Sequence, residues 1–393
     1  MKALRLTAAY ALCAVLLFAL IAFAGCSGTA PSNTFTELLN LVPAEAAESD
    51  QPVYFNLIDY ASYFKENGVG TFTSIEELLN QLVDKPREIL LNLPGTGNSF
   101  ITGYGRYAQE TTITEKYVGY NVGDVDAEIQ FGTPPSEGVA AIGRFDPAAT
   151  KNALSSQDEW PPEIVSLYQT EEYNGVTIHS WGDGFKMNLI TRLVPPHLDE
   201  LGRAMPLAVT DKYLFNHPSL EAVKLMIDAS QQKAKSLADL PEYGSIAEHL
   251  GGLKIYQAII ADEAVANLCL APLQDKDNPM TEGEKQRYIS GLGTPLKKFL
   301  TCGSGRGEDE KGAFTFIVIY HENPSLAREN VSRLKQHIEN DISVSLGKTW
   351  GTFFTETDIR AEGNILLVRL YGESSMLWQS LIYARDNLLY HEE

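Results

Sequence analysis

Five times along this chain an apolar run of strand length ends in a polar corner and passes into an amphipathic helix. The first is "PVYFNLIDYASYFKENG" at 52–68, the second "GVAAIGRFDPAATKNALSS" at 138–156, and the third "MPLAVTDKYLFNHPSLEAVKLMIDAS" at 205–230. "GAFTFIVIYHENPSLARENVSRLKQHIEN" at 312–340 and "GNILLVRLYGESSMLWQSLIYARDN" at 363–387 complete the set. In the second, Asp146 is placed to cap a helix with Pro147 at its first position. The helical stripes are Leu220, Val223, Met226 and Ile227; Leu326, Val331, Leu334 and Ile338; and Leu377, Leu381, Ala384 and Leu388. Each stripe covers one helix face and is suited to packing on a sheet.

Other strands are joined by turns too short for a helix. Asn174-Gly175 in "EEYNGVTIHSWGDG" is a two-residue hairpin signal, and Asp211-Lys212 and Glu362-Gly363 split apolar runs in the same way. Hairpins mixed with helices predict an α+β fold, with antiparallel or mixed sheets and helices packed on a face, not a doubly wound parallel sheet. The corners "HPSLEAVK" (217–224) and "NPSLAREN" (323–330) read almost alike, and in both the serine after proline is a candidate N-cap. They suggest two degenerate halves of repeated strand–helix units, joined near Gly251-Gly252. Pro-Ser corners are also common before unrelated helices. The expected division is a leader at 1–25, a flexible tether at 26–43, an N-terminal half at 44–250 and a C-terminal half at 251–393.

Apolar and charged residues make up 44% and 21% of the chain, the proportions of a globular protein. The formal charge is -20. Such a surface repels nucleic acid and anionic headgroups, so no nucleic-acid partner is expected.

Lys2 and Arg5 precede an uncharged stretch from Leu6 to Ala24 that ends in "AFAGCSG". A basic start, an apolar middle and small residues before the cut are the layout of an export signal. The segment resembles a bacterial lipoprotein signal peptide. Phe23-Ala24-Gly25-Cys26 matches the lipobox, except that Phe23 stands where the family usually has an aliphatic residue. The resemblance implies cleavage before Cys26 and lipidation of its thiol. The protein would then be held to the cell membrane by its lipid, facing outside the cytoplasm. Two acyl chains suffice for stable anchoring. An uncleaved transmembrane anchor and plain secretion remain as alternatives, and all three put the bulk of the chain outside the cytoplasm.

Three further stretches carry a looser resemblance: "GYNVGDVDAEIQFGTPPSEGVAAIGRFDPAATKNAL" at 119–154, "EEYNGVTIHSWG" at 171–182 and "SLADLPEY" at 236–243. They resemble uncharacterised exported lipoproteins of the kind seen in Chloroflexota. That resemblance implies export and a repeated α+β build, and it assigns no active residue.

Four cysteines are present, of which Cys13 lies in the leader and Cys26 in the lipobox. Cys269 and Cys302 are left, free to form a disulfide outside the cytoplasm or to remain as buried thiols. The acidic loop "QDKDNPMTEGEK" (274–285) offers Asp275, Asp277 and Glu282 as weak Ca²⁺ candidates. Pro279 at a ligand position and the missing turn glycine exclude an EF-hand. No other cofactor is expected. Asp124, Asp126 and Glu128 alternate, so one strand face could carry them. Gly347-Lys348-Thr349 lacks the distal glycine of a phosphate loop, with Ile342 in its place. Ser332 and Lys335 spell a Ser-x-x-Lys pair that falls mid-helix. His179, His217, His249 and His321 stand singly, as do Trp160, Trp181, Trp350 and Trp378.

With no catalytic constellation in view, the chain reads as a non-catalytic binding or envelope-surface module with a protein or small-molecule partner. A solute-binding lipoprotein with a cleft between its halves is the alternative. An exported hydrolase built from residues distant in sequence ranks below both.

Overall fold

Among the described residues twelve strands form one antiparallel sheet: β1 (Tyr54–Asp59), β2 (Val125–Phe131), β3 (Gly138–Gly143), β4 (Gln169–Tyr173), β5 (Val176–Ser180), β6 (Leu207–Val209), β7 (Tyr213–Asn216), β8 (Gln257–Asp262), β9 (Thr301–Asp309), β10 (Gly312–Tyr320), β11 (Glu356–Glu362) and β12 (Ile365–Tyr371). Their order is β11-β12-β10-β9-β8-β1-β2-β3-β7-β6-β5-β4. The structure is a computed structural model that describes residues 33–48, 52–86, 89, 93–94, 118–133, 135–155, 162–186, 203, 205–251, 253–372 and 386–392. The fold is α+β, and the hairpins read from Asn174-Gly175, Asp211-Lys212 and Gly363 are all present. Asn174 (φ 50°) and Gly175 (φ 82°) both take the left-handed conformation that a tight primed turn needs.

The sheet is built from two related halves that meet at β1 and β8. Asn56 pairs with Ile259 across that junction, and a local two-fold passes there. Each half runs outward as strand, hairpin, hairpin: β1-β2-β3-β7-β6 on one side and β8-β9-β10-β12-β11 on the other. The helices follow the same scheme. α1 (Thr34–Leu39) precedes the first half. α2 (Tyr60–Glu66) and α3 (Ile75–Leu82) come between β1 and β2, α4 (Pro147–Ser155) and α5 (Pro162–Val165) follow β3, and α6 (Leu220–Ser230) and α7 (Pro241–Gly251) follow β7. In the second half α8 (Glu263–Ala266) and α9 (Glu282–Gly291) lie between β8 and β9, and α10 (Pro324–Asn340) follows β10. Asp59 caps α2 through Ser62 N–H, and Asp262 caps α8 through Val265 N–H, at matching places. The β4–β5 hairpin has no counterpart among the described residues of the second half.

This match differs from the one suggested by the near-identical corners. By position in the sheet, α10 corresponds to α4, after Asp146-Pro147, and not to α6. The likeness of 217–224 to 323–330 therefore does not mark equivalent places in the two halves. The caps differ as well. Ser219 Oγ accepts from Ala222 N–H as expected, whereas Asn323, not Ser325, caps α10, with its Oδ1 accepting from Ser325 and Leu326 N–H. The expected fifth helix falls at 373–385, outside the described residues.

One face of the sheet carries a single core that runs across both halves. α1, α6 and α7 lie on it, and Phe35, Leu38, Val223, Met226, Ile246 and Leu250 pack against Phe55, Ile129, Phe215, Ile260 and Phe316. The tether is accordingly shorter than expected. Phe35, Leu38, Leu39, Leu41 and Val42 are buried, so the apolar side chains of 35–42 tie that stretch into the fold instead of leaving it flexible to Pro43. The opposite face carries two separate cores. One, beneath α2, α3 and α4, gathers Ile58, Tyr60, Phe64, Leu78, Ala141 and Leu154; the other, beneath α8 and α10, gathers Ile259, Val265, Ile317, Leu334, Ile338 and Val368.

β9 is the strand the sequence hid. "TCGSGRGED" carries little strand signal because glycine is a poor strand former. Gly303, Gly305 and Gly307 share the face under α7. A Cβ would lie 2.5 Å from Ile246 Cγ2 at Gly303, 2.8 Å from Ile255 Cγ2 at Gly305, and 2.5 Å from Phe314 Cζ at Gly307. The missing side chains are what let α7 and its neighbours settle onto the sheet. We expect Gly303→Val to cost about 3 kcal/mol by overpacking, read as a lower urea midpoint with unchanged m-value. The same change at Gly312, a turn glycine with no atom near its missing Cβ, tests backbone strain (φ 112°) without any packing conflict.

Candidate functional site

On the two-cored face, polar side chains interrupt the apolar cover along the junction of the halves. β1 shows why. Its residues on this face are Tyr54, packed on the second half's core, then Asn56, then Ile58 in the first half's core. Asn56 thus sits between the two cores, where its amide finds partners on the neighbouring strands. Gln257 Nε2 on β8 donates to Asn56 Oδ1 at 3.2 Å. Asn56 Nδ2 donates to Gln130 Oε1 on β2 at 3.4 Å, and Gln130 Nε2 donates to Glu128 Oε1 at 2.9 Å. The four side chains form a hydrogen-bonded line across three central strands. Asn56 is buried and Glu128 fully so, while Gln130 and Gln257 are half-buried.

The line continues down β2. Asp126 comes next on β2, but the expected alternation of Asp124, Asp126 and Glu128 does not hold: Asp124 falls in the turn before the strand, and a bulge between Val125 and Ala127 breaks the register at Asp126. Asp126 Oδ1 accepts from Arg144 at 2.7 Å, and Arg144 also donates to the Gly123 carbonyl. Burial raises the Asp126 carboxyl above its ordinary range, against the pull of Arg144. Beneath Glu128 lies Tyr120, whose hydroxyl is raised by burial first and by the Glu128 carboxylate second. Tyr120 packs edge-on to Phe145, ring centroids 5.7 Å apart.

Arg144, the partner of Asp126, also lines a depression of about 520 Å³ together with Gly119, Asn121, Asp124, Phe145, Asp146, Ala149 and Asp211. Three loops build it. Asp124 Oδ2 accepts from Asn121 N–H at 2.8 Å and fixes the turn before β2. Asp146 caps α4 through Ala148 and Ala149 N–H. The β6–β7 turn brings Asp211, whose carbonyl accepts from Phe145 N–H at 3.1 Å. Gly119 (φ 80°) leaves no room for a Cβ, which would fall 2.6 Å from the backbone of Ala149 and Thr150. Carboxylates, one guanidinium, an amide and an aromatic edge in one concavity suit a small polar ligand bearing both charge and hydrogen-bonding groups.

The other candidates are dispersed. Cys26 and the leader lie outside the described residues, as do Trp160 and Trp378. Cys269 and Cys302 are buried free thiols, not a cystine. Cys302 points into the second half's core from β9, while Cys269 Sγ points at the Ala266 carbonyl, 3.7 Å away. Burial pushes both thiols up to about 12, so neither is reactive near neutrality. In the acidic loop, Asp275 Oδ1 accepts from Asp277 and Asn278 N–H, and Thr281 and Glu284 form the capping box of α9, whose first residue is Glu282. Asp275 Oδ1 and Glu284 Oε2 are turned to the loop's own backbone, and among the described residues no three His, Cys, Asp or Glu side chains converge as metal ligands.

The histidines close corners. His217 Nδ1 accepts from Ser219 N–H at 2.9 Å, His321 Nε2 from Asn330 Nδ2 at 2.8 Å, and His179 Nδ1 from the Tyr168 hydroxyl at 2.9 Å. Ser332 and Lys335 lie within α10, and Trp181 and Trp350 are core residues. Asn56, Gln257 and Gln130 were not legible as site residues. The only local sign was one amide inside the apolar run "VYFNLID".

No family model and no curated protein matches the chain. Among solved structures, crystal form I of TP0453 matches at 8% identity and a TM-score of 0.35, over 87% of this chain and 97% of its own. Crystal form III of TP0453 matches at 8% identity and 0.34, over 86% and 96%.

Proposed function

We propose that this protein is an extracytoplasmic, lipid-anchored binding module without a catalytic role, and that it takes a small polar ligand along the β2 line and in the Arg144 depression. The observation that carries this reading is the line from Gln257 through Asn56, Gln130 and Glu128. Four polar side chains at the centre of a large sheet, where apolar residues would pack more cheaply, supply hydrogen-bonding groups, and the half-buried Gln130 and Gln257 are the ones a ligand reaches. The lead from the sequence to the membrane is Cys26.

The test is ligand-induced stabilisation of the mature protein, screened by thermal shift with ammonium, zwitterionic and polyhydroxyl compounds. A ligand at a hundredfold excess over its Kd should stabilise by about 2.7 kcal/mol. Asp211→Asn should remove the shift and leave the unliganded Tm unchanged. A shift that survives both Asp211→Asn and Gln130→Leu would put binding elsewhere and overturn the reading. Intact mass of the membrane-extracted chain tests the anchor separately. We expect a chain beginning at a diacylated Cys26, abolished by Cys26→Ala; retention of residues 1–25 would contradict it.

The place of the line, on the junction of the halves, favours as a second reading a solute-binding lipoprotein whose ligand sits between them.

A further inference from the structure

The last strand of the sheet is unlike the rest. β4 lies at the end of the strand order, and every residue from Gln169 to Glu172 is exposed. In a two-residue hairpin the residues flanking the turn exchange both hydrogen bonds, and the pattern alternates outward. Tyr173, Glu171 and Gln169 therefore bond to β5, and Thr170 and Glu172 turn their N–H and C=O groups away from the sheet. The other end is closed differently. β11 packs against α10, Ile359 is buried, and Arg360 neutralises Asp358 and Glu362 on its own strand.

Charge decides what can pair with β4. Glu171 and Glu172 lie on the strand, with Glu221 and Asp228 beside it on α6. Asp228 accepts from the Tyr173 hydroxyl at 2.8 Å and from Asn174. Lys224 lies near these carboxylates and is shared between Glu171 at 3.0 Å and Glu221 at 3.1 Å. A second copy of the chain would set glutamates against glutamates, which disfavours self-pairing. An extended segment with basic residues at alternate positions would gain both the backbone groups that no described strand pairs and the acidic rim. The hairpin is also the segment that the first half has beyond the shared scheme.

We propose that β4 is a docking edge for a basic, extended segment of a partner protein, which adds to the sheet as a thirteenth strand. This surface is separate from the β2 depression, so either site can fail without the other.

The probe is a fluorescent peptide of alternating lysine and threonine, titrated by anisotropy into the mature protein at low salt. Saturable binding is expected. Thr170→Pro removes one outward N–H while leaving the bonds to β5, and it should weaken binding about tenfold, the worth of one hydrogen bond. Glu171→Lys with Glu172→Lys should exchange the preference for a glutamate–threonine peptide. Equal binding by Thr170→Pro with an unchanged Tm would reduce the contact to ionic adsorption and overturn the proposal. So would absence of saturable binding, or a reversed-charge variant that keeps the lysine peptide.

Discussion

Between pH 6.5 and 4 the protein should lose most of its stability. His179, His217 and His321 are buried and accept hydrogen bonds through ring nitrogens that must stay unprotonated. Burial lowers each to about 4 from an ordinary 6.5, with Lys151 adding to the effect at His179 and backbone partners opposing it at His217 and His321. The unfolded chain therefore binds these protons first. The stabilisation is complete above pH 6.5 and drains as pH falls toward 4. Each histidine carries about 3 kcal/mol of this linkage, and three approach the whole stability of an ordinary domain. Asp126 and Asp262, raised by burial, take up protons more readily when folded and offset part of the loss at the acid end. Urea midpoints measured at several pH values should fall steeply through this window, and His179→Gln should make the fall shallower. A midpoint that stays level from pH 7 to 5 would defeat the argument.

Asn387→Ala should destabilise by about 4 kcal/mol. Its side chain is fully buried and serves three stretches at once. Nδ2 donates to Leu292 O at 3.0 Å and Ile342 O at 3.1 Å, and Oδ1 accepts from Val344 N–H at 3.3 Å and Trp350 Nε1 at 3.4 Å. Beside it the Asp386 carboxylate accepts from Ser343 Oγ at 2.6 Å and from Val344 N–H at 2.9 Å. Further on, Leu296 and His391 form a parallel bridge, and Glu392 pairs with Lys297 and Arg333. Alanine would leave two carbonyls and two N–H groups without this partner. Chemical denaturation reads the loss. Asn387→Asp, which sets a buried carboxylate oxygen against two carbonyls beside Asp386, should cost at least as much as alanine.

Much of this fold was legible, and the gaps have physical causes. Local chemistry was read correctly where one residue type decides a conformation: Asn174-Gly175 for a primed turn, Asp146-Pro147 for a helix start. It misled where a local pattern has two uses. Pro-Ser serves a helix start at 218–219, yet at 324–325 the preceding Asn323 takes the cap. Glycines that mark loops elsewhere mark close helix–sheet contact in β9. Of the site, Asp126 and Glu128 were legible as residues of one strand, but the bulge between Val125 and Ala127 that breaks their alternation has no sequence signal. Asn56 and Gln257 could not be joined to them, because their contact depends on β1 lying between β2 and β8, and strands about 200 residues apart have no sequence signal for pairing.

The junction at β1 and β8 also dictates an order of events. Until residues 257–262 are in place, β1 has only β2 beside it, and a buried strand of the first half stands as an open border. The first half alone is thus a poor end state, and its nucleus must wait for a segment made about 200 residues later. Folding should be slow and all-or-none, with the barrier set by the meeting of two distant strands and not by any helix. A chain cut near Gly251 would have its two pieces seek each other, or pair wrongly with copies of themselves.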